Sequence, residues 1–279
     1  MTESSEKIDS LARADYHIHP DYSFDAKSSI EDFVLAAIAK KLEKICFTTH
    51  IDLDPNRAAL DAFMYIDGEF VVLSDMSVRR YLSDIEHVKK NYANQIDIAA
   101  GFEFSYEEHY EHLIEDFISK FNPDFSIGSI HSVNGFEVTS RVAIAVAVRV
   151  LSPNPFFERY FEIMIALAQS ELFSTIGHFD GYKKYLSRYW GMSNIERLEQ
   201  EIIPDIAQRI AETGATFEIN SSGFRKGLCA PYPSAVVIRT LVENGVEIGT
   251  FGSDAHRQED VGSLLGNSAN YVKAALNIK

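Results

Sequence analysis

Basic residues are scarce in this sequence: 26 lysines and arginines stand against 41 aspartates and glutamates, a net charge of -15. Nucleic acid is therefore not expected as a partner, because a phosphate backbone needs lysine and arginine to neutralise it. A small phosphorylated ligand would likewise have to be captured by local cations. Cysteine is scarcer still. Cys46 and Cys229 are the only two, both in apolar settings, so two buried free thiols in a reducing cytoplasm are expected rather than a disulfide framework. Long apolar runs are missing as well. The most apolar stretch, VAIAVAV at 142–148, is far too short to cross a bilayer and lies between Arg141 and Arg149, so no membrane partner is expected. The opening MTESSEKIDS has no apolar core and does not read as a signal peptide.

What is present is a recurring unit, a short β-rich run followed by a helical pattern. Candidate strands cover 14–19, 44–50, 96–103, 125–131, 172–178, 215–220 and 246–254, and amphipathic helices are expected over 29–41, 79–92, 107–120, 156–169, 196–213, 232–244 and near 258–275. Ser28 followed by Glu31 reads as a capping box opening the first of these helices. Alternating strands and helices imply a parallel sheet with helices outside it. A count of about seven favours a closed barrel over an open sheet. No GxGxxG or P-loop pattern follows any of the strands, which removes the usual nucleotide-binding readings. No linker divides the chain, so one barrel domain over 1–279 is expected, with a polar N-terminal extension at 1–13.

The polar residues fall at the strand ends. In DYHIHPDYSFDA, His17 and His19 are two apart and would face the same way on a strand. The second strand ends in His50, the third in Glu103, the fourth in His131 and the fifth in His178, while the seventh ends in Asp254 with His256 beyond it. The C-terminal strand ends of an α/β barrel carry its active site. Six of the nine histidines would thus converge on one polynuclear metal site. His87, His109 and His112 lie in helical patterns among carboxylates, form no HExxH or Glu-x-x-His motif, and read as surface residues.

These motifs, from DYHIHPDYSFDA through FTTHID, GFEFSY, GSIHSVNG, IGHFDGYKKY and INSSGFRKG to GSDAHRQEDVG, resemble the polymerase and histidinol phosphatase (PHP) superfamily, in particular its histidinol-phosphate phosphatase branch. The resemblance covers nearly the whole chain and implies a distorted (β/α)7 TIM-like barrel with three divalent metal ions at its C-terminal face. Carried over residue by residue, the first ion would take His17, His19, Glu103 and Asp254. The second would share Glu103 and add His131 and His178, and the third would take Asp25, His50 and His256. Some relatives have a histidine where Asp25 stands. Mixed imidazole and carboxylate ligands suit zinc, manganese or iron. A bridging Glu103 would hold two ions close enough to share a hydroxide of lowered pKa, which would attack phosphorus in line.

The resemblance also implies a small phosphate ester as substrate, L-histidinol phosphate, hydrolysed in histidine biosynthesis. Arg225 is the first choice for phosphate capture, since guanidinium matches phosphate oxygens bidentately. The family usually has a basic residue after strand five, where Lys183, Lys184 and Arg188 are all available. Asp52 and Asp180 could hold water, assist the leaving alkoxide, bind a cationic amine or orient ligand histidines. Another small phosphate ester, a barrel amidohydrolase or a DNase are the alternatives. The last two lack the Asp25, His50 and His256 trio, and an amidohydrolase often has a lysine at the strand-four end where His131 stands. A non-catalytic barrel would show gaps in the ligand set, and there are none. Segment 132–155 is unusually apolar for a connection and could form a lid over the site or the interface of a homo-oligomer.

Overall fold

The computed structural model describes residues 3–278. Among them, seven strands form one parallel sheet: β1 (Ala14–Ile18), β2 (Lys44–Ile51), β3 (Asp97–Ser105), β4 (Phe125–Ser129), β5 (Thr175–Ile176), β6 (Phe217–Asn220) and β7 (Ile248–Gly252). Neighbours in the sheet are neighbours in sequence. The seam between first and last strands is partly closed. Ile18 bridges Ala255, and the His19 amide donates to the Ala255 carbonyl at 2.8 Å. The buried carboxylate of Asp15 fastens the same seam by accepting from the amides of Ser253 at 2.8 Å and Gly262 at 2.7 Å. This is a nearly closed, distorted (β/α)7 barrel, as expected.

Ten helices of seven residues or more surround it among the described residues: α1 (Glu3–Leu11), α2 (Ile30–Ala39), α3 (Asp75–Tyr92), α4 (Glu111–Phe121), α5 (Arg141–Ala147), α6 (Pro153–Gln169), α7 (Lys183–Trp190), α8 (Met192–Ala211), α9 (Ala235–Glu243) and α10 (Leu265–Ala275). Helix α2 shows why they pack as they do. Its buried residues Ile30, Phe33, Val34 and Ala37 repeat at helical spacing and form one apolar stripe toward the barrel. Strand β2, by contrast, is buried on both faces over Ile45–Thr49, as a parallel barrel strand must be.

Several local expectations need correction. Helix α2 is capped one residue later than expected, with Ser29 and Asp32 forming the capping box. Ser28 turns inward instead, and its hydroxyl accepts from the Gln258 amide at 2.9 Å. Residues 3–11 are a helix rather than a polar extension, because Ile8 gives that helix a buried side against α10. Cys46 is buried but Cys229 is exposed, and both are free. Strand β5 is much shorter than 172–178, and α7 was not foreseen.

Two hairpins were also missed: Phe63–Ile66 with Glu69–Val72, and Ser132–Val133 with Phe136–Glu137. Their tips, Asp67–Gly68 and Asn134–Gly135, have positive φ at both residues, which is the turn that Asp-Gly and Asn-Gly favour. Segment 132–155 therefore holds a hairpin and α5, and its residues Glu137, Thr139 and Ser140 form part of the wall of a cleft over the barrel mouth. No helix among the described residues is long and apolar enough to cross a membrane.

Candidate metal centre

Glu103 sits near the end of β3, 1% exposed, and imidazoles approach both of its oxygens. Oε2 faces His17 Nε2 at 3.3 Å, His19 Nε2 at 3.5 Å and His50 Nδ1 at 2.9 Å. Oε1 faces His131 Nε2 at 3.3 Å and His178 Nε2 at 3.0 Å. The strands account for this sorting. Alternation along β1 and the extended residue after it turns His17 and His19 to one side, with ring centroids 5.0 Å apart. The β2–β3 register sets His50 directly beside Glu103. His131 and His178 lie two residues beyond β4 and β5.

On the other flank, Asp254 Oδ1 lies 3.6 Å from His19 Nε2 and 3.4 Å from His256 Nδ1. Asp25 is 3.2 Å from His256 Nε2 and 4.0 Å from His50 Nε2. All nine residues expected as ligands are thus brought together. Three subsets have donor atoms within 4.8 Å of one another: His17, His19 and Asp254; His50, Glu103 and His131; and His19, His50 and His256.

The charges within this cluster are in competition. Burial pushes the Glu103 carboxyl up, but charge on His17 and His131 outweighs it and holds the group well below the usual carboxylate range. Asp254 is held low in the same way, against its burial, by Lys226 and the neighbouring histidines. Asp25 falls to about 2, where burial is overcome by His256 and His50. Burial pushes His19 well below 6.5, with His50 and His256 adding to the effect, and burial also lowers His131. His50 rises to about 9 because Glu103 and Asp25 outweigh its burial. Burial would lower His17 too, but Glu218 and Glu103 outweigh it and raise the group well above 6.5. The ionised carboxylates and the neutral His19 and His131 are thus in the form that binds metal, whereas a cation would have to displace a proton from His17 and His50. The donor atoms fit such a role. His17 Nε2 and both ring nitrogens of His19 are buried and make no hydrogen bond among the described residues, an arrangement that is costly unless a cation takes the lone pairs.

Other side chains hold the donors in place. Ser129 Oγ donates to Glu103 Oε1 at 2.7 Å, Ser222 Oγ donates to Asp254 Oδ2 at 2.9 Å, and Ser105 Oγ lies 2.9 Å from His131 Nδ1. Glu218, buried on β6, meets His17 Nδ1 at 3.0 Å and accepts from the His178 amide at 2.7 Å. Sequence reasoning missed it. The signal was available, since Glu218 and Asn220 are polar residues two apart near the end of a barrel strand.

The centre forms the floor of a cleft of about 710 Å³. Among the residues expected to touch substrate, Asp52 and Lys184 line it, but Arg225, Arg188 and Asp180 do not. The Arg225 guanidinium is turned to the carbonyls of Ser253 and Asp254. Its neighbour Lys226 lines the cleft instead and pairs with Asp254. Arg188 is exposed on α7. Asp180 is fully buried, bound by Lys183 Nζ at 2.7 Å and by the Ser234 amide at 2.9 Å. His87, His109 and His112 are exposed. His109 pairs with Asp54 at 3.2 Å, whereas His87 meets Asn91 rather than a carboxylate.

Comparison with known proteins agrees with this architecture. The PHP domain model matches residues 15–222. A Deinococcus radiodurans protein is 24% identical over 93% of this chain and 92% of its own. The histidinol-phosphatase of Bacillus subtilis is 25% identical over 90% of this chain and 96% of its own. Among solved structures, a chain from Listeria monocytogenes superposes with a TM-score of 0.76 at 20% identity, covering 91% of this chain and 99% of that one. The histidinol phosphate phosphatase of Lactococcus lactis, complexed with zinc, L-histidinol and phosphate, does so with a TM-score of 0.72 at 22% identity, covering 94% and 93%. At these identities the structural likeness establishes the barrel.

Proposed function

The chain belongs to the PHP domain family, and we propose that it is a metal-dependent phosphomonoesterase that converts L-histidinol phosphate to L-histidinol and phosphate. The observation that carries this is the gathering of five imidazoles around the two oxygens of Glu103 on the floor of an accessible cleft. Three divalent ions, zinc, manganese or iron, would be held by His17, His19, Glu103 and Asp254, by Glu103, His131 and His178, and by Asp25, His50 and His256. When bound they would activate water and neutralise phosphoryl oxygens.

The remaining roles fall to the chain's own side chains. Lys226 and Lys184 supply fixed positive charge on the cleft wall, and a point charge is sufficient to hold a phosphate. In this reading Lys226 takes the phosphate-capturing role first given to Arg225. The leaving group carries an ammonium and an imidazole. Asp52, Asp61 and Glu137 line the cleft, and Arg57 ties the last two together, which leaves Asp52 as the carboxylate best placed to meet a cationic amine. The relatives support the substrate, because the Lactococcus lactis protein binds L-histidinol and phosphate together. A biosynthetic substrate and two unpaired cysteines suit the cytoplasm.

A panel of phosphomonoesters assayed with metal-reconstituted protein tests the reading. kcat/KM for L-histidinol phosphate is expected to exceed that for glycerol phosphate by at least about a hundredfold, the scale of one charge-assisted contact plus orientation. Preference for a nucleotide, a sugar phosphate or a phosphodiester would remove the substrate assignment.

A further inference from the structure

Glu218 belongs to none of the three close-donor subsets among the described residues, yet it touches two of the histidines expected to bind adjacent ions. Both its oxygens face His17 Nδ1, at 3.0 and 3.1 Å, and Oε1 also accepts from the His178 amide at 2.7 Å and from Asn220 Nδ2 at 2.9 Å. We propose that Glu218 is the positioning residue of the metal centre, fixing the tautomer of His17 and tying it to the His178 turn so that two neighbouring ion positions keep one spacing. The proposal rests on the metal-centre reading above.

Three observations lead there. Glu218 Oε1 already accepts from the His178 amide and from Asn220 Nδ2, so the carboxylate acts as the acceptor and the His17 nitrogen facing it carries a proton. His17 is thereby set with Nδ1–H toward Glu218, which leaves Nε2, on the Glu103 side, as the nitrogen a cation would take; Nε2 makes no hydrogen bond among the described residues. The backbone of β7 also presses on the pair. A Cβ at Gly252 would fall 2.5 Å from His17 Cβ and 2.7 Å from Glu218 Oε2, so only glycine lets the strand approach this closely. Finally, the amide of His178, just beyond β5, and the ring of His17, on β1, converge on one buried side chain. A displacement of that side chain would move donors of both positions together. Carboxylates behind a ligand imidazole orient it and raise its basicity, and their loss typically weakens metal binding by about 10- to 100-fold.

The test compares the full chain with Glu218→Gln and Glu218→Asp, titrated with Zn²⁺ or Mn²⁺ in chelator-buffered solution. Metal per chain is read by elemental analysis, and Tm is measured with and without metal. Glutamine keeps the size and loses the charge. Aspartate keeps the charge but is one methylene too short to reach both partners, and it carries the test if the glutamine variant does not fold. Both variants are expected to need about 10- to 100-fold more free metal for half-occupancy. The metal-induced rise in Tm should shrink, so that the Tm deficit relative to the unchanged chain is larger with metal than without it. Wild-type metal affinity in the variants would overturn the proposal, as would a loss of Tm that is the same with and without metal. An unchanged chain that takes up no metal would instead overturn the metal-centre reading, and the proposal with it.

Discussion

His50 of β2 stands beside Glu103 of β3 in the parallel ladder, and its Nδ1 lies 2.9 Å from Glu103 Oε2. This pairing joins the two halves of the centre. Glu103 reaches toward His131 and His178 through its other oxygen, and His50 reaches toward Asp25 and His256 through its other edge. One register shift in β2 would turn His50 to the opposite face and separate the halves.

Metal content follows from the donor set. Protein made in metal-replete medium is expected to hold about two to three transition-metal ions per chain, because imidazole-rich sites retain such ions. Stripping them with a chelator should abolish activity, and adding Mn²⁺ or Zn²⁺ should restore it. Elemental analysis that finds less than about one equivalent, with no gain on reconstitution, would end the hydrolase reading.

Replacing Glu103 by Gln removes a charge shared by five imidazoles. Turnover should fall by at least about a thousandfold, a loss of about 4 kcal/mol of transition-state stabilisation, while circular dichroism shows the barrel intact. His109→Ala is the control. That residue is exposed and touches Asp54 at 3.2 Å outside the centre, so its rate should stay within about a factor of two to three, as a surface change predicts.

Arg225 and Lys226 should separate in their effects. Lys226→Ala is expected to lower kcat/KM for every phosphomonoester by roughly 10- to 100-fold, one charge-assisted contact, with little change in Tm. Arg225→Ala should lower Tm instead, because it strips a part-buried donor from the carbonyls of Ser253 and Asp254 at a cost of about 1–2 kcal/mol. Equal rate losses with no change in either Tm would show that both cations hold phosphate.

A pH effect on stability is expected away from the centre. Burial pushes the Glu199 carboxyl from 4.5 up to about 7, with Asp180 adding to the rise and Lys183 opposing it. The folded state therefore holds this proton more tightly than the unfolded chain. Its contribution to stability is fully present below pH 4.5 and is lost as pH rises through about 7, with a slope of at most about 1.4 kcal/mol per pH unit for one proton. Glu199→Gln should remove that slope, read as the difference from the unchanged chain in denaturant unfolding of metal-loaded protein. Parallel profiles across pH 5–8 would refute it.

The buried cation of that cluster gives a second stability prediction. Lys183 Nζ lies 2.7 Å from Asp180 and 2.8 Å from Glu199, with all three side chains almost wholly buried. At about pH 8 or above, where Glu199 is ionised, Lys183→Met should destabilise the fold by about 3–5 kcal/mol, because two carboxylates are left without their cation. A change below about 1 kcal/mol would mean that one of them is already neutral.

What the sequence determined by itself was the barrel and its donors. Both depend on local pattern: the alternation of short β runs with helical stretches, and histidines and acids recurring where those runs end. A strand turns alternate residues to one face and a barrel points its strand ends at one mouth, so His17, His19, His50, Glu103, His131, His178, Asp254 and His256 were legible without coordinates. Only the tertiary structure decided among neighbours that local pattern treats alike. Arg225 and Lys226 are adjacent, but Arg225 closes a short helical turn, Ser222–Arg225, and Lys226 follows it; only Lys226 lines the cleft. Asp180 looked available until Lys183 and the distant Ser234 enclosed it, and Glu218 gained its partners from strands far away in sequence. Which acid a buried cation or ring nitrogen pairs with depends on charges brought together by packing, and those distances exist only in the folded chain.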